Sequence, residues 1–208
     1  MKTVLKTFRV TPSVLPADCE SEICVEALGG WMFFYDDITY EVQFIPADES
    51  DIPAWIEICK NGLVGDNCVP EFFDECVADV DDCVPEKDVF FLDYEGEHIG
   101  TVSAIFHPEE KEGQVHMVGI KTEFRGKGLG KYINNVAVKK LAAQDAEYMY
   151  LTTDEWRMGA VKSYLTAGFI PVEYDEGMKE RWEWMLCELG VDSVDMVYED
   201  CSFCRRVE

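Results

Sequence analysis

Basic residues are scarce in this chain. Lysine and arginine together number 18 against 42 aspartates and glutamates, for a net charge of −24. So acidic a chain argues against a nucleic-acid partner, because phosphate backbones are bound by basic faces. The acid excess serves solubility, and it also suits a cationic substrate such as an amine or a basic peptide end. Long apolar runs are missing too. No stretch reaches membrane-spanning length and the first residues carry no signal-peptide core, so the expectation is a cytoplasmic protein with no membrane partner. Nothing repeats internally. Paired metal-ligand motifs are also lacking. The nine cysteines are scattered, and only Cys201-x-x-Cys204 has ligand spacing. With no second pair and no histidine nearby, no metal is expected, and the thiols read as small apolar fillers in a reducing compartment. What is abundant is apolar surface. Hydrophobic residues make up 48% and aromatics 12% of 208 residues, enough for a full core in one domain with an extension.

One stretch organises the rest: Val115 to Tyr132, Val-His-Met-Val-Gly-Ile-Lys-Thr-Glu-Phe-Arg-Gly-Lys-Gly-Leu-Gly-Lys-Tyr. Its first part is apolar and β-branched, as in a buried strand. Its middle sets Gly126, Gly128 and Gly130 at alternate positions. Its end opens a helix, because Leu129, Tyr132, Ile133, Val136, Ala137 and Leu141 recur at helical spacing. A strand, a glycine loop and a helix start are the parts of an anion site. Glycines let the backbone approach closely, and unpaired amides at the helix N-terminus point at the anion. Residues 121 to 140 hold six cations (Lys121, Arg125, Lys127, Lys131, Lys139, Lys140) against the single acid Glu123. The spacing excludes two familiar phosphate loops. The NTPase pattern needs Ser or Thr after its lysine, where this chain has Tyr132, and the dinucleotide fingerprint needs glycine at position 131, which is lysine.

Periodicity places the other elements. Thr3 to Val10 reads as a strand broken by Pro12 and Pro16. Trp31 to Tyr35 and Ile38 to Ile45 read as strands around an Asp36-Asp37 turn. The cluster Trp31, Phe33, Phe34 and Tyr35 packs a hairpin or walls a substrate site. Pro46 to Asp51 is a loop ending in a cap for a helix over Ile52 to Cys59, stopped at Gly62, with a short second helix over Pro70 to Val77. The acid-rich run Asp74 to Asp93 is a solvated loop or a lure for a cationic amine. Val89 to Tyr94, Ile99 to Phe106 and Val115 to Ile120 form three antiparallel strands. The helix Leu129 to Ala143 follows, then a strand over Tyr148 to Thr152. Next come a helix from Arg157 to Ala167, capped by Asp154 and ended by Gly168, and a strand from Phe169 to Tyr174. Met178 to Leu189 adds a helix and Val191 to Val197 a strand. The order β-β-β-α-β-α-β is an α/β (α+β) fold with a mixed sheet, antiparallel first and parallel later.

The residues Arg125-x-x-Gly128-x-Gly130 resemble the Arg/Gln-x-x-Gly-x-Gly/Ala signature of the GNAT superfamily of acyl-CoA N-acyltransferases, and the resemblance extends over about Tyr40 to Tyr174. It implies an N-terminal extension over 1–39, an acetyltransferase domain over 40–175, and a C-terminal helix and tail over 176–208 packed on the same domain. It implies acetyl-CoA as co-substrate and a primary amine of a small molecule or peptide as acceptor. A non-catalytic acyl-CoA sensor is the alternative, and a homodimer stays open. In such a fold the strand ending at Ile120 splays from its neighbour. The main chain of Val118, Gly119 and Ile120 would then hold the pantetheine arm, and the amides of Arg125, Gly126, Lys127, Gly128, Leu129, Gly130 and Lys131 the diphosphate. Arg157 stands where many members have an asparagine touching the cofactor arm, so it reaches the cofactor or pairs with Asp154 or Glu155. Tyr164 falls at the family's general acid, and the first two helices line the acceptor side. Gln114 stands where other members place a base glutamate, which an amide does not replace. His116 is then the candidate base, read as sharing the Val118 face. Glu123 is a weaker candidate, and His98 and His107 read as surface or turn residues.

Overall fold

The computed structural model describes residues 5–10, 22–27, 30–35, 42–46, 49–60, 62–65 and 67–208, with residues up to 49 described through their backbone alone. The Asp36-Asp37 turn and the side chains of Trp31, Phe33, Phe34 and Tyr35 lie outside the described residues. The chain begins with strands β1 (Leu5–Val10), β2 (Glu22–Ala27), β3 (Gly30–Tyr35) and β4 (Val42–Pro46). Helix α1 (Ile52–Cys59) follows, then α2 (Glu71–Phe73), which runs straight into a π-helical turn over Asp74–Ala78, and α3 (Pro85–Asp88). Strands β5 (Val89–Tyr94), β6 (Glu97–His107) and β7 (Glu112–Ile120) lead to α4 (Leu129–Ala143). Then come β8 (Tyr148–Asp154), α5 (Met158–Thr166), β9 (Ile170–Pro171), α6 (Met178–Leu189), β10 (Val194–Val197) and β11 (Phe203–Val207).

Among the described residues nine strands form one sheet, ordered β2-β3-β4-β5-β6-β7-β8-β1-β9, and β10 with β11 makes a separate hairpin. The mixed sheet expected from the element order is present. Its parallel part is the β7–β8 pair, and β1 lies antiparallel to both β8 and β9. The expected strand over Phe169 to Tyr174 shrinks to two residues. Pro171 lacks an N–H for the ladder, and Val172 turns instead to a parallel bridge with Val197.

Among the strands with described side chains, β5 is covered on both faces. Phe90 and Leu92 of β5 point toward the cluster built by α4, α5 and α6, while Val89 and Phe91 point toward the cluster of α1 and α2. This two-sided burial is why β5 reads as a continuous apolar run. In α4 the residues at helical spacing, Leu129, Tyr132, Ile133, Val136, Ala137 and Leu141, are all buried. Each fully buried Ile133, Val136 or Leu141 contributes about 1.5–3 kcal/mol. No helix of the described residues is long and apolar enough to cross a membrane.

Two expected caps are absent. Asp51 sits at the α1 N-cap without a side-chain cap bond, and its Oδ1 lies 3.2 Å from His98 Nε2 instead. Asp154 is the last residue of β8, and α5 starts after Arg157 with no side-chain cap. Gly168 does end α5, with φ +89°.

Candidate active site

β7 and β8 pair over only three residues each, Glu112 with Tyr148, Gly113 with Met149 and Gln114 with Tyr150. Beyond that point β7 stays with β6 as far as Ile120, and β8 stays with β1 as far as Asp154. The two strands therefore part after Gln114 and Tyr150. Main-chain groups of Val115 to Ile120 on the β8 side lose their ladder partner, which is costly unless something else bonds them. Arg125 Nε takes one such group from the glycine loop, donating to the Ile120 carbonyl at 2.8 Å.

A bulge interrupts the same segment. Thr101 faces Gly119 and Ser103 faces His116, so Val102 opposes two residues, Met117 and Val118, and Met117 has φ +48°. An extra residue flips the alternation of side chains. Val118 and Ile120 pack toward the α4 cluster and Met117 toward the α1 cluster. His116 reaches Cys76, in the turn after α2. The reading that placed His116 on the Val118 face is thus corrected: the bulge separates them, and His116 looks toward α1 and α2.

After β7, Thr122–Phe124 makes one tight turn and the glycine loop leads into α4. Gly128 holds φ +81° as the residue before α4, and no side chain caps the helix. The first-turn amides are therefore open to an anion. Gly130 has a different reason to be glycine. A Cβ there would lie 2.6 Å from Ser163 Oγ, so its absence lets α4 close onto α5. Asn134 Nδ2 ties the same seam, donating to Ser163 Oγ at 3.0 Å.

The cation surplus is not all at this loop. Lys140 lies 11 residues past Leu129, about 16 Å along the helix at 1.5 Å per residue, where it bonds Asp88 in the core. Lys121 pairs with Glu97 at 2.6 Å. Arg125 remains at the loop, with Lys127 over the Phe124 ring at 4.9 Å and Lys131 over Tyr132 at 4.6 Å. Glu123 is exposed in the turn before the loop.

Tyr164 is buried on α5, edge-on to Phe169 at 6.1 Å. Burial pushes its phenol up to about 12, with Arg157 pulling the other way. The hydroxyl therefore keeps its proton across the neutral range. Arg157 takes the pairing that the sequence left open: its Nε lies 3.3 Å from Asp154 Oδ2, and its guanidinium sits over Trp156 at 4.7 Å. Glu155 pairs with Arg181 instead.

His98 and His107 are not free surface groups. His98 lies between two carboxylates, Asp93 at 3.0 Å and Asp51 at 3.2 Å, and stacks on Phe91. His107 bonds Asp82 at 3.0 Å and Gln114 at 3.3 Å. Two of these partners, Asp51 and Asp82, lie 47 and 25 residues away in sequence, beyond the reach of local pattern. Among the described residues, no group of three or more His, Cys, Asp or Glu is placed to hold a metal, and the cysteines are free.

A parted strand pair, a bulge and an uncapped helix behind a glycine loop thus occur together. The profile of the acetyltransferase (GNAT) family matches residues 52–169, which contain all three. The chain belongs to this family. Mycothiol acetyltransferase from Streptomyces griseus is 33% identical over 130 residues, which are 60% of this chain and 41% of that protein. The chain thus spans less than half the length of the curated relatives it matches. Among solved structures, a GNAT acetyltransferase from Colwellia psychrerythraea has a TM-score of 0.56 at 13% identity, covering 82% of this chain and 53% of that one. Rv2747 from Mycobacterium tuberculosis, solved in complex with CoA, has a TM-score of 0.50 at 15% identity, covering 70% and 81%. These likenesses confirm the GNAT fold.

Proposed function

We propose that this GNAT chain transfers an acetyl group from acetyl-CoA to a primary amine. The observation that carries the reading is the gap between β7 and β8 running up to the uncapped start of α4 at Gly128. Family membership and the acetyltransferase relatives support it, and Rv2747, of the same fold, holds CoA. The gap offers main-chain groups of Val118 and Ile120 to the amides of the pantetheine arm. The Ile120 carbonyl already accepts from Arg125, and Gly119 between them is paired with Thr101 of β6. The amides from Arg125 through Gly126, Lys127, Gly128 and Leu129 to Gly130 and Lys131 receive the diphosphate, with Lys127 and Lys131 adding charge. Such groups are in place before the ligand arrives, so binding orders little else. Arg157 borders the arm from the start of α5 while held by Asp154.

The chemistry follows from the side chains. His116 takes a proton from the incoming ammonium on the α1 and α2 side. The freed amine nitrogen forms the C–N bond as the thioester C–S bond breaks. The second proton leaves that nitrogen and reaches the departing sulfur through Tyr164, whose phenol is held in the protonated form. The products are an N-acetyl amine and a thiol. The net proton from the ammonium rests on His116 until water takes it.

Titration of the chain with acetyl-CoA, followed by thiol release on a panel of amines, polyamines, aminoglycosides and peptide N-termini, tests this. Release on one class supports it. Tight acetyl-CoA binding with no release on any class favours the sensor alternative, and absence of binding removes both. Within that assay Tyr164→Phe is expected to lower kcat by about 100-fold, the scale of one general acid, with acetyl-CoA affinity unchanged. Wild-type kcat in this variant would discard Tyr164 as the acid.

A further inference from the structure

His116 is held from one side. Its Nε2 lies 2.8 Å from the carbonyl oxygen of Cys76. A carbonyl only accepts, so the proton of that bond sits on Nε2. A neutral ring bonded in this way keeps its free lone pair on Nδ1. Ser103, the cross-strand partner of His116, does not consume that lone pair, because its buried Oγ has no hydrogen-bond partner. Burial holds the ring below the ordinary histidine range, with the Cys76 carbonyl pulling the other way.

The Cys76 carbonyl is available because of how its helix ends. α2 widens into the π-helical turn Asp74–Ala78. The next amides go elsewhere: Asp79 N to Asp74 O at 2.8 Å, and Val80 N to Val77 O at 3.2 Å. Neither reaches Cys76. Turns of this kind are uncommon and concentrate at functional sites. On the strand, the bulge at Met117 turns His116 toward this carbonyl and away from α4. Two backbone irregularities, 40 residues apart in sequence, thus meet in one hydrogen bond.

We propose that the Cys76 carbonyl is the positioning group for His116, fixing the Nε2-protonated tautomer and presenting Nδ1 as the proton acceptor for the incoming ammonium. The purpose rests on the acetyl-transfer reading; the tautomer does not. One proton moves: R–NH3+ gives it to Nδ1, leaving R–NH2 and an imidazolium that returns it to water. The titratable groups on this side include the thiols of Cys59, Cys68 and Cys76, which burial keeps protonated, Glu75, whose charge is felt at Cys76, and His98 on Phe91, bonded to Asp93 and Asp51. Asp82 and His107 on the same sheet face are engaged with each other.

The test uses the full chain labelled with 15N-histidine, with His116 assigned through His116→Ala. Long-range proton–nitrogen spectra near neutral pH should show His116 neutral, with Nε2 protonated and Nδ1 bare. An Nδ1-protonated ring or an imidazolium overturns the proposal. Cys76→Ala keeps the carbonyl and should leave that spectrum unchanged; a lost preference would assign the effect to the thiol and also overturn it. Deleting Glu75 should tighten the π turn and draw the carbonyl off the ring. The expected result is mixed tautomers and kcat lower by about tenfold, part of the range for a general base, with KM for acetyl-CoA unchanged. Unaltered tautomer and kcat would refute the positioning role. If that deletion prevents folding, the first two spectra decide. A chain that transfers no acetyl group to any amine would sink the acetyl-transfer reading while leaving the tautomer measurable.

Discussion

Asp88→Ala is expected to lower the unfolding free energy by about 3–5 kcal/mol near neutral pH, the cost of leaving one member of a buried ion pair uncompensated. Lys140 is 2% exposed and Asp88 6%. Lys140 Nζ donates to Asp88 Oδ1 at 2.5 Å and to the Ala104 carbonyl at 2.6 Å, and Val84 N donates to Asp88 Oδ2 at 2.6 Å. The pair therefore joins α3, α4 and β6. Burial already holds the Lys140 ammonium below the usual lysine range, with Asp88 and then Cys83 opposing that shift. Removing Asp88 takes away the largest opposing influence, so the folded-state value falls further. A lysine depressed in the folded state binds fewer protons there than in the unfolded chain. Stability then rises with pH from the folded value up to about 10.5. The variant should accordingly recover part of its loss between about pH 7 and about pH 9.5, where Lys140 folds uncharged. Urea unfolding at both values reads this directly. An equal deficit at the two values would mean that the buried ammonium is not the source. The pair Asp88→Leu with Lys140→Met, apolar and of similar volume, should regain most of the stability of the parent.

Lys140 also shows what a sequence tally misses. Six cations around the glycine loop suggest a concentrated positive field. Counting along the chain ignores helix length and face, and here it merges three loop cations with a core lysine. The loop itself is legible because its signals are local. Glycine spacing and the apolar residues of α4 give the right boundaries, Leu129 and Ala143, and β5 and α6 also fall where periodicity puts them. The features that define the candidate chemistry are not local. The bulge at Met117 depends on how β7 pairs with β6, and it reverses the face that simple alternation assigns to His116. The π-helical turn carries no composition signal that separates it from an ordinary helix end. β11 escapes pattern reading because the run from Phe203 to Val207 sets Arg205 and Arg206 side by side and so lacks clean alternation. β2 alternates Ile23, Val25 and Ala27 with Cys24 and Glu26, so its period of two is present and simply outweighed by the polar residues before it.

The second large effect concerns the loop. Gly128→Val is expected to weaken acetyl-CoA binding by at least about 100-fold, some 2.7 kcal/mol, while the melting temperature falls by only a few degrees. Gly128 adopts φ +81°, and a β-branched residue there is strained by about 1–2 kcal/mol. Nothing lies within 4 Å of the Cβ that valine would add, so the strain is in the backbone and not in packing. Relief by rotation of this residue would turn the amides at the start of α4 away from the proposed diphosphate position. Gly177 supplies a matched control. It precedes α6 with φ +78°, also with open space around its Cβ position. Gly177→Val should therefore lose similar stability and keep its acetyl-CoA affinity. Calorimetric titration beside thermal melts of both variants separates the two quantities. If the variants lose stability equally and neither loses affinity, the start of α4 is not where the diphosphate binds. If both lose affinity, the loss at Gly128 reflects general loosening rather than the direction of its amides.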